Sequence, residues 1–598
     1  APPSQEGPMR FPSLTDAAGR ARQTAIRFPL ALLSGLVAAG VMIALIEGPE
    51  LDWHPRVWAT AMLGLPVFTA IATTVERRRL SSTVRWVVAL VAVAGLVVLG
   101  YAAQAWPEEQ VALRLLQLAL MAHLAVAVAA FARGPEQIGF WQWNRILLLR
   151  YLLAGVYAGV LFVGLALALA AVDNLFGVNI RNETYPELMA VLALVFHPWL
   201  MLAGVPEDLD GLDRVEEYPA GLKVFAQFVL LPLVTVYLVI LTLYLGKVLF
   251  TREWPSGWIG WLASGASLTG VLALLLLHPG RNREDSAWVN GYGRWFFLAL
   301  APSLGMLLAA VGKRITQYGV TEPRYILLVL TVWLLGLGVF YLITGSRNIR
   351  PIPVSLGLVA VLTWFGPWGA YATSRRSQEG RLDALLVANE MGQLGAATLA
   401  GRTVSPEDVK ELNGVIRYLH RSHGVPALAA ALGVAEDTAE AWAADSTMSR
   451  WDRVEVHAAR HLGVEYRAAG SGRGEEFTVG VKAPVLAEIA GFDRMQPVTL
   501  VENARLEVGA TGLVLEGSSD MRTLRILRDS LPVGSFDLSQ ALDTLGTDGP
   551  ESLSVPITVD AEVDGIQLRL VLVHVWGQRP EGRRSPTNAR GYLLIRRP

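Results

Sequence analysis

Eleven apolar runs between Leu30 and Ser374 constrain this chain more than any other feature. They lie near 29–47, 57–75, 86–105, 111–132, 146–172, 188–205, 224–250, 258–279, 295–312, 325–344 and 354–373, each bounded by charges, Gly/Pro or Trp. Each has the length a helix needs to cross a hydrocarbon layer of roughly 30 Å. Composition agrees: of 598 residues 53% are hydrophobic and only 17% charged, and the mean hydropathy is +0.40. A water-soluble protein of ordinary make-up is excluded. The expected fold is therefore an α-helical polytopic membrane bundle of about eleven spans. The first run reads as a retained span, because ten similar ones follow it and no small-residue cleavage site precedes the polar stretch at 48–56.

Lysines and arginines set the expected orientation. With a cytoplasmic N-terminus, the inner segments carry seventeen of them, including Arg20, Arg22, Arg27, Arg77, Arg78, Arg79 and Arg85. The outer loops carry six: Arg56, Arg181, Arg252, Lys313, Arg314 and Arg324. Positive residues stay inside, so 1–28 is read as a cytoplasmic segment and 29–374 as the membrane domain. An odd number of spans puts the remainder outside, in the periplasm of a bacterial inner membrane. Trp141, Trp143, Trp254, Trp258, Trp261, Trp288, Trp295, Trp364 and Trp368 stand near run ends, where indoles anchor in the headgroup layer.

Beyond Ser374 the composition becomes that of a water-soluble module. Residues 375–470 read as a helical subdomain. Ser405-Pro406-Glu407-Asp408 starts a helix with a side-chain cap, an early proline and acids at the positive dipole end, and Val409, Leu412, Ile416 and Leu419 form its apolar face before His423-Gly424. Two more helices are expected at about 425–443 and 448–463. A glycine-rich joint at Gly470 to Gly474 leads into 476–598, read as a small antiparallel β domain, with Asp564-Gly565 as a hairpin turn between Ile557–Val563 and Ile566–Val575.

The segments FHPWLMLAGVP (Phe196 to Pro206), EYPAGLKVFAQFVLLPLVTVYLVIL (Glu217 to Leu241), EWPSGW (Glu253 to Trp258), RITQYGVTEPRY (Arg314 to Tyr325) and IPVSLGLVAVLTWFGPW with SRRSQ (Ile352 to Gln378) resemble a family of bacterial integral-membrane proteins catalogued as domain of unknown function 4153. YLHRSHG (Tyr418 to Gly424) and GFD (Gly491 to Asp493) resemble its C-terminal part more weakly, and the first five runs match in hydropathy alone. The resemblance implies a multi-span membrane region with an extracytoplasmic tail and no particular activity.

The chemistry must then come from the residues. The net charge of -1, from 51 Lys+Arg against 52 Asp+Glu, gives no basic surplus for nucleic acid. The absence of cysteine excludes disulfides, thiolate metal sites and cysteine nucleophiles. No phosphate-binding GxxxxGK[ST] loop, HExxH helix, EF-hand loop or GxSxG elbow is present. No cofactor and no catalytic set emerges. No metal site is assigned; His457 and His461, four apart on an expected helix with His420 and His423 nearby, are the nearest candidates, and the spacing fixes no third ligand.

Polar groups within the runs carry more weight, since a charge facing lipid is costly. Arg114, Gln117 and His123 lie in the fourth run, Arg150 in the fifth, His197 in the sixth, Gln227 and Tyr237 in the seventh and His278 at the end of the eighth. Arg150 can simply snorkel to the headgroups. Pro198 follows His197, and Pro232, Pro302 and Pro367 interrupt later runs, so broken helices of the kind that build transporter sites are expected, with plain packing kinks as the alternative.

The loop Gln317 to Arg324 is the best single suspect. Tyr318, Thr321, Glu322 and Arg324 place a hydroxyl, a carboxylate and a guanidinium in a short turn able to bind a polar headgroup; alternatively Glu322 and Arg324 pair with each other or with another loop to fix the bundle. The acidic loop Glu207 to Glu217 reads as solvated. The candidate substrate-binding residues are thus His197, Gln227, Tyr237, Tyr318, Thr321, Glu322 and Arg324. The leading function is permease-like binding or movement of a small or lipidic solute; the alternative is a membrane-anchored scaffold or sensor whose outer module binds an envelope protein. Lipid chemistry at 317–324 is a third reading. Membrane lipids are expected partners, and the sequence fixes no oligomeric state.

Overall fold

The computed structural model of the chain describes residues 14–48, 53–132, 137–215, 218–251, 258–279, 287–389, 404–445, 453–464, 466, 475–481, 491–501, 505–518, 522–529, 531–539, 552–553, 556–579 and 585–596. They form two compact units, one from Ala1–Ala400 and Val415–Leu462 and the other from Gly401–Gly414 and Gly463–Pro598.

The apolar runs fold as helices: α1 (Leu14–Arg27), α2 (Pro29–Glu47), α3 (His54–Arg77), α4 (Ser82–Ala102), α5 (Glu108–Val128), α6 (Gln137–Phe176), α7 (Thr184–Val191), α8 (His197–Ala203), α9 (Ala220–Phe225), α10 (Leu231–Thr251), α11 (Trp258–Leu276), α12 (Ala287–Tyr318), α13 (Glu322–Thr344) and α14 (Pro351–Trp364). Prolines open α2, α3, α13 and α14, where the missing N–H costs nothing. Gly345, at φ 60°, ends α13 in the left-handed conformation. Among the described residues nine helical stretches are long and apolar enough to cross a membrane, and Gly260–Leu276 and Pro351–Trp364 are shorter apolar helices. The outward face of α4 is all hydrocarbon, with Val87, Leu90, Val91 and Val98 exposed and only Ala89 buried. Water would not tolerate such a face and lipid would.

The helix ends gather at two faces. At one, Arg27 pairs with Glu76 at 3.0 Å, Arg77 with Asp210 and with Asp213 at 2.5 Å, and Arg79 with Asp210 at 2.7 Å. Beneath them lies an aromatic core of Phe28, Phe131, Phe140, Trp141 and Trp143. At the other face Arg181 bridges Glu47 and Glu187, each at 3.2 Å. Trp141 and Trp143 are therefore not headgroup anchors. Both are buried, and their indoles donate to the carbonyls of Leu275 at 2.8 Å and Val126 at 3.0 Å, because each polar handle finds a backbone partner on a neighbouring helix. Trp261, Trp295 and Trp368 are exposed; Trp254 and the side chains of Trp258 and Trp288 lie outside the described residues. The acidic loop is likewise tied down by Arg77 and Arg79 rather than wholly solvated. The eleventh run ends early: α14 stops at Trp364, Gly366 turns at φ 80°, and Pro367 lies beyond the helix instead of kinking it.

After α15 (Ala370–Ala388) come α16 (Pro406–Leu432), α17 (Glu436–Ala444) and α18 (Arg453–His461). Ser405 Oγ accepts from the Asp408 N–H at 3.1 Å, capping α16 as its sequence requires. Gly424, at φ 83°, breaks α16 internally. The helix expected at 425–443 is split as well, because Gly433 turns at φ 65° between α16 and α17. Glu455 on α18 is fully buried against Arg421 at 2.7 Å, His420 at 3.3 Å and Arg417 at 3.4 Å.

The second unit is antiparallel β apart from one short parallel pair. Strands β2 (Arg494–Val501), β10 (Ser585–Arg596), β9 (Ile566–Arg579), β1 (Glu475–Val481) and β7 (Ser552–Leu553) follow one another in one sheet, with β8 (Ile557–Val563) also on β9. A meander of β3 (Arg505–Val508), β4 (Leu513–Gly517), β5 (Thr523–Arg528) and β6 (Leu531–Asp537) forms the second. Leu515, Ile526 and Phe536 from the meander meet Leu570, Val575 and Leu593 in one shared core. Asp564 and Gly565 adopt positive φ in the two-residue β8–β9 turn, as that pair favours. The glycine-rich joint at 470–474 lies outside the described residues.

Candidate functional site

Two prolines break two helices in the same way. Pro198 lacks an N–H and its ring crowds the preceding turn, and the chain responds with a π-turn at Leu192–Phe196 between α7 and α8. Pro232 does the same to the α9–α10 helix, through a π-turn at Ala226–Leu230. Pro302, by contrast, sits inside an uninterrupted α12.

The first break presents His197. Its Nε2 lies 3.1 Å from the carbonyl of Tyr151 on α6, and the two rings meet edge to face with centroids 4.7 Å apart. Around them is a cleft of about 260 Å³ lined by Pro66, Thr69, His123, Tyr151, His197 and Pro198, among others. It is apolar with a few polar groups, the make-up of a small-molecule site. Tyr151 is 53% exposed, so the cleft opens at the side of the bundle. Gln227 and Tyr237 are not part of its lining. Gln227 is half-buried on the second π-turn, and Tyr237 packs against the cluster of Leu241, Ala263 and Leu307. The structure does not bring these three sequence candidates into one site.

The 317–324 loop is tied to α15. Gln378 donates to the carbonyls of Tyr318 at 3.0 Å and Val320 at 3.1 Å, and Ser377 Oγ accepts from the Val320 N–H at 2.9 Å. Arg324 and Glu322 point apart. Arg324 donates to the Gly319 carbonyl at 2.9 Å and stands over the exposed Tyr318 ring, while Thr321 is half-buried at the start of α13. Glu322 turns inward and is buried. It accepts from Ser374 Oγ at 2.8 Å, from Gln110 Nε2 at 3.1 Å and from the Tyr418 hydroxyl, with His423 Nε2 at 3.3 Å. Next to it Arg114 donates from Nε to Gln110 at 2.9 Å and lies within an aromatic box, 3.7 Å from Tyr371, 5.1 Å from Trp106 and 5.3 Å from Trp364.

The carboxylate of Glu322 thus joins α5, α13, α15 and α16. Burial and the Glu322 charge push the Tyr418 hydroxyl above its ordinary range. Burial, then Arg375 and Arg114, hold His423 down at about 4. A neutral ring with its proton on Nε2 suits its partners: Nε2–H donates to Glu322, and Nδ1, 3.3 Å from Gln110 Nε2, accepts. Ser, His and carboxylate are the residue types of a hydrolytic triad, but the order is wrong. Hydroxyl and carboxylate share one ring nitrogen, and Ser374 is wholly buried. The set is a structural joint.

The family described as domain of unknown function (DUF4153) matches residues 30–397, more than half the chain. The chain belongs to that family. DUF4153 therefore includes the first five runs, which resembled it only in hydropathy, and carries the cleft whole. It also holds the Gln110, Glu322 and Ser374 side of the joint. An uncharacterized protein of Pasteurella multocida is 29% identical over 184 residues, a stretch covering 30% of this chain and 30% of that one. No solved structure matches the chain.

His457 and His461 both have protein neighbours. His457 Nε2 meets Asp445 Oδ2 at 2.8 Å, and both rings lie against Trp442, at 6.1 and 5.9 Å between centroids. Among the described residues no group of three or more His, Asp or Glu side chains is placed to hold an ion. Gln110, Ser374, Tyr418 and the role of His423 escaped sequence reasoning because their positions are 49 to 313 residues apart. The available signal was a glutamate placed beside a proline at a span entrance.

Proposed function

We propose that this DUF4153 protein is a bacterial inner-membrane protein whose eleven apolar helices all cross, and that it binds a small or lipidic solute, permease-like, in the cleft at His197. The cleft carries the reading: a helix broken at membrane depth frees backbone polar groups beside an apolar cavity, the arrangement from which membrane proteins make solute sites. An amphipathic solute suits the mostly hydrocarbon lining, with His123, His197 and Thr69 for its polar end.

Two observations support crossing by the short helices. Ile349, just before α14, packs with Phe28 and Trp143, whereas Thr363 near its end accepts from Gln117 at 3.4 Å and Trp364 lies 5.5 Å from Trp106. The Leu275 carbonyl near the end of α11 accepts from Trp141, while Ala263 near its start packs with Leu307 and Val311. Eleven crossings and the Lys/Arg asymmetry put the N-terminus in the cytoplasm and the β unit in the periplasm.

The binding test uses nitroxide-labelled stearic acid on the full chain in detergent. Saturable immobilisation is expected, and Ala193→Trp, which fills the cleft from its lining, should lower its extent by at least one site per chain in a protein that stays monodisperse. Equal immobilisation by both proteins would refute the reading.

A further inference from the structure

A second cavity lies at the face that carries α1, with Leu202 as a wall shared with the His197 cleft. It measures about 820 Å³, within the range of small-molecule sites. Its wall holds four arginines, Arg20, Arg27, Arg79 and Arg85, against two glutamates, Glu76 and Glu207. The arginines divide by task. Arg27 is spent on the fold, donating to Glu76 at 3.0 Å and to the carbonyls of Val205 at 2.7 Å and Pro206 at 2.6 Å. Its own carbonyl accepts from Arg85 at 2.5 Å. Glu76 is thereby neutralised. Arg20 is exposed on α1, and Arg79 is 83% exposed with one contact to Asp210. Gln23, Thr24 and Ser82 add neutral polar groups to the same wall. Arg20, Arg79 and Arg85 then outnumber Glu207 and the Asp210 carboxylate on Arg79, so the cavity is cationic by a small margin, with guanidinium donors to offer an anion.

Its floor is of a different kind. The cavity shares Phe28, Ala72 and Arg85 with an adjoining shallow apolar groove of only about 20 Å³, floored by the buried Phe28, Phe68 and Ala89 and edged by Leu30, Ile71 and the exposed Trp86. Those residues lie on the opening turns of α2 and α4 and the last turns of α3, where the helices enter the hydrocarbon. A cationic pocket at the membrane surface, joined to an apolar groove running into the membrane, matches a molecule with a phosphate at one end and an acyl chain at the other.

We propose that this cavity is a binding site for an anionic phospholipid, its phosphate held by Arg20, Arg79 and Arg85 and an acyl chain laid over the half-buried Leu30 and the exposed Trp86. A free phosphate would use the same arginines and ignore the groove, and the lipid is favoured because cavity and groove are continuous. Seated there, the lipid connects α1 to the ends of α2, α3 and α4.

The test is native mass spectrometry of the full chain released from phosphatidylcholine vesicles containing about one-tenth phosphatidylglycerol. One phosphatidylglycerol should stay bound per chain, and Arg20→Gln/Arg79→Gln should lower its retention about tenfold. Arg22→Gln, an exposed α1 arginine outside the cavity wall, should leave it unchanged. Arg20→Gln alone should give part of the loss, so the proposal stays testable if the double variant fails to fold. Equal retention by wild type and the Arg20 variants overturns the proposal. So does displacement of the lipid by millimolar glycerol 3-phosphate or inorganic phosphate, which would assign the site to a soluble phosphate.

Discussion

A single carboxylate, Glu322, joins four helices, and burial beside it sets the charge state of His423. Its pKa of about 4 lies below the ordinary 6.5 because burial, then Arg375 and Arg114, oppose the imidazolium. Unfolded chains take up that proton as pH falls through 6.5 and the folded chain does so only near 4. The contribution of His423 to stability is therefore complete above pH 6.5 and is lost between about 6.5 and about 4, by up to roughly 3 kcal/mol at about 1.4 kcal/mol per unit. His423→Gln removes the group, so its unfolding temperature in detergent should fall less than that of wild type over this window. Identical slopes would mean that the buried ring is charged in the folded protein. Sequence could mark Glu322 as unusual, but not name its partners. Its inward turn depends on Gln378 and Ser377 fixing the preceding loop, and the hydroxyls and amides that receive it are ordinary residues on distant helices.

Helix boundaries were legible wherever local chemistry sets them. The Ser405 cap, the opening prolines and the Asp564-Gly565 turn each act within a few residues and stand where the sequence puts them. The π-turns were legible only as breaks, since a proline fixes that a helix must yield but not by how many residues. Close helix approaches were not legible at all. Gly35 on α2 faces the first π-turn so tightly that a Cβ there would come within 2.3 Å of the Leu194 carbonyl oxygen, whereas Gly40 on the same helix has open space. That oxygen is backbone and has little room to retreat. Gly35→Ala should destabilise the bundle by about 1–3 kcal/mol through overpacking, and Gly40→Ala should be neutral or slightly stabilising. Thermal unfolding of the pair decides the matter: matching temperatures would show that α2 and the π-turn are not in contact.

At the scale of the whole molecule, the two faces of the bundle differ in chemistry. Arg27, Arg77, Arg79 and Arg85 gather at the face of α1, and the opposite face holds Arg181 among the acids Glu47 and Glu187. A chain inserted with positive loops retained inside places the first group in the cytoplasm. The helices α11 and α14 are short, and the loss of one crossing would reverse the side of everything after it. The absence of cysteine makes the question directly testable, since each introduced thiol reports alone. Ser82→Cys on the α1 face should react with a membrane-impermeant maleimide only in inverted vesicles. Asn182→Cys beside Arg181, and Thr558→Cys on β8, should react only in intact spheroplasts. Labelling of Thr558→Cys from the same side as Ser82→Cys would show that an even number of helices cross, and the β unit would then belong to the cytoplasm.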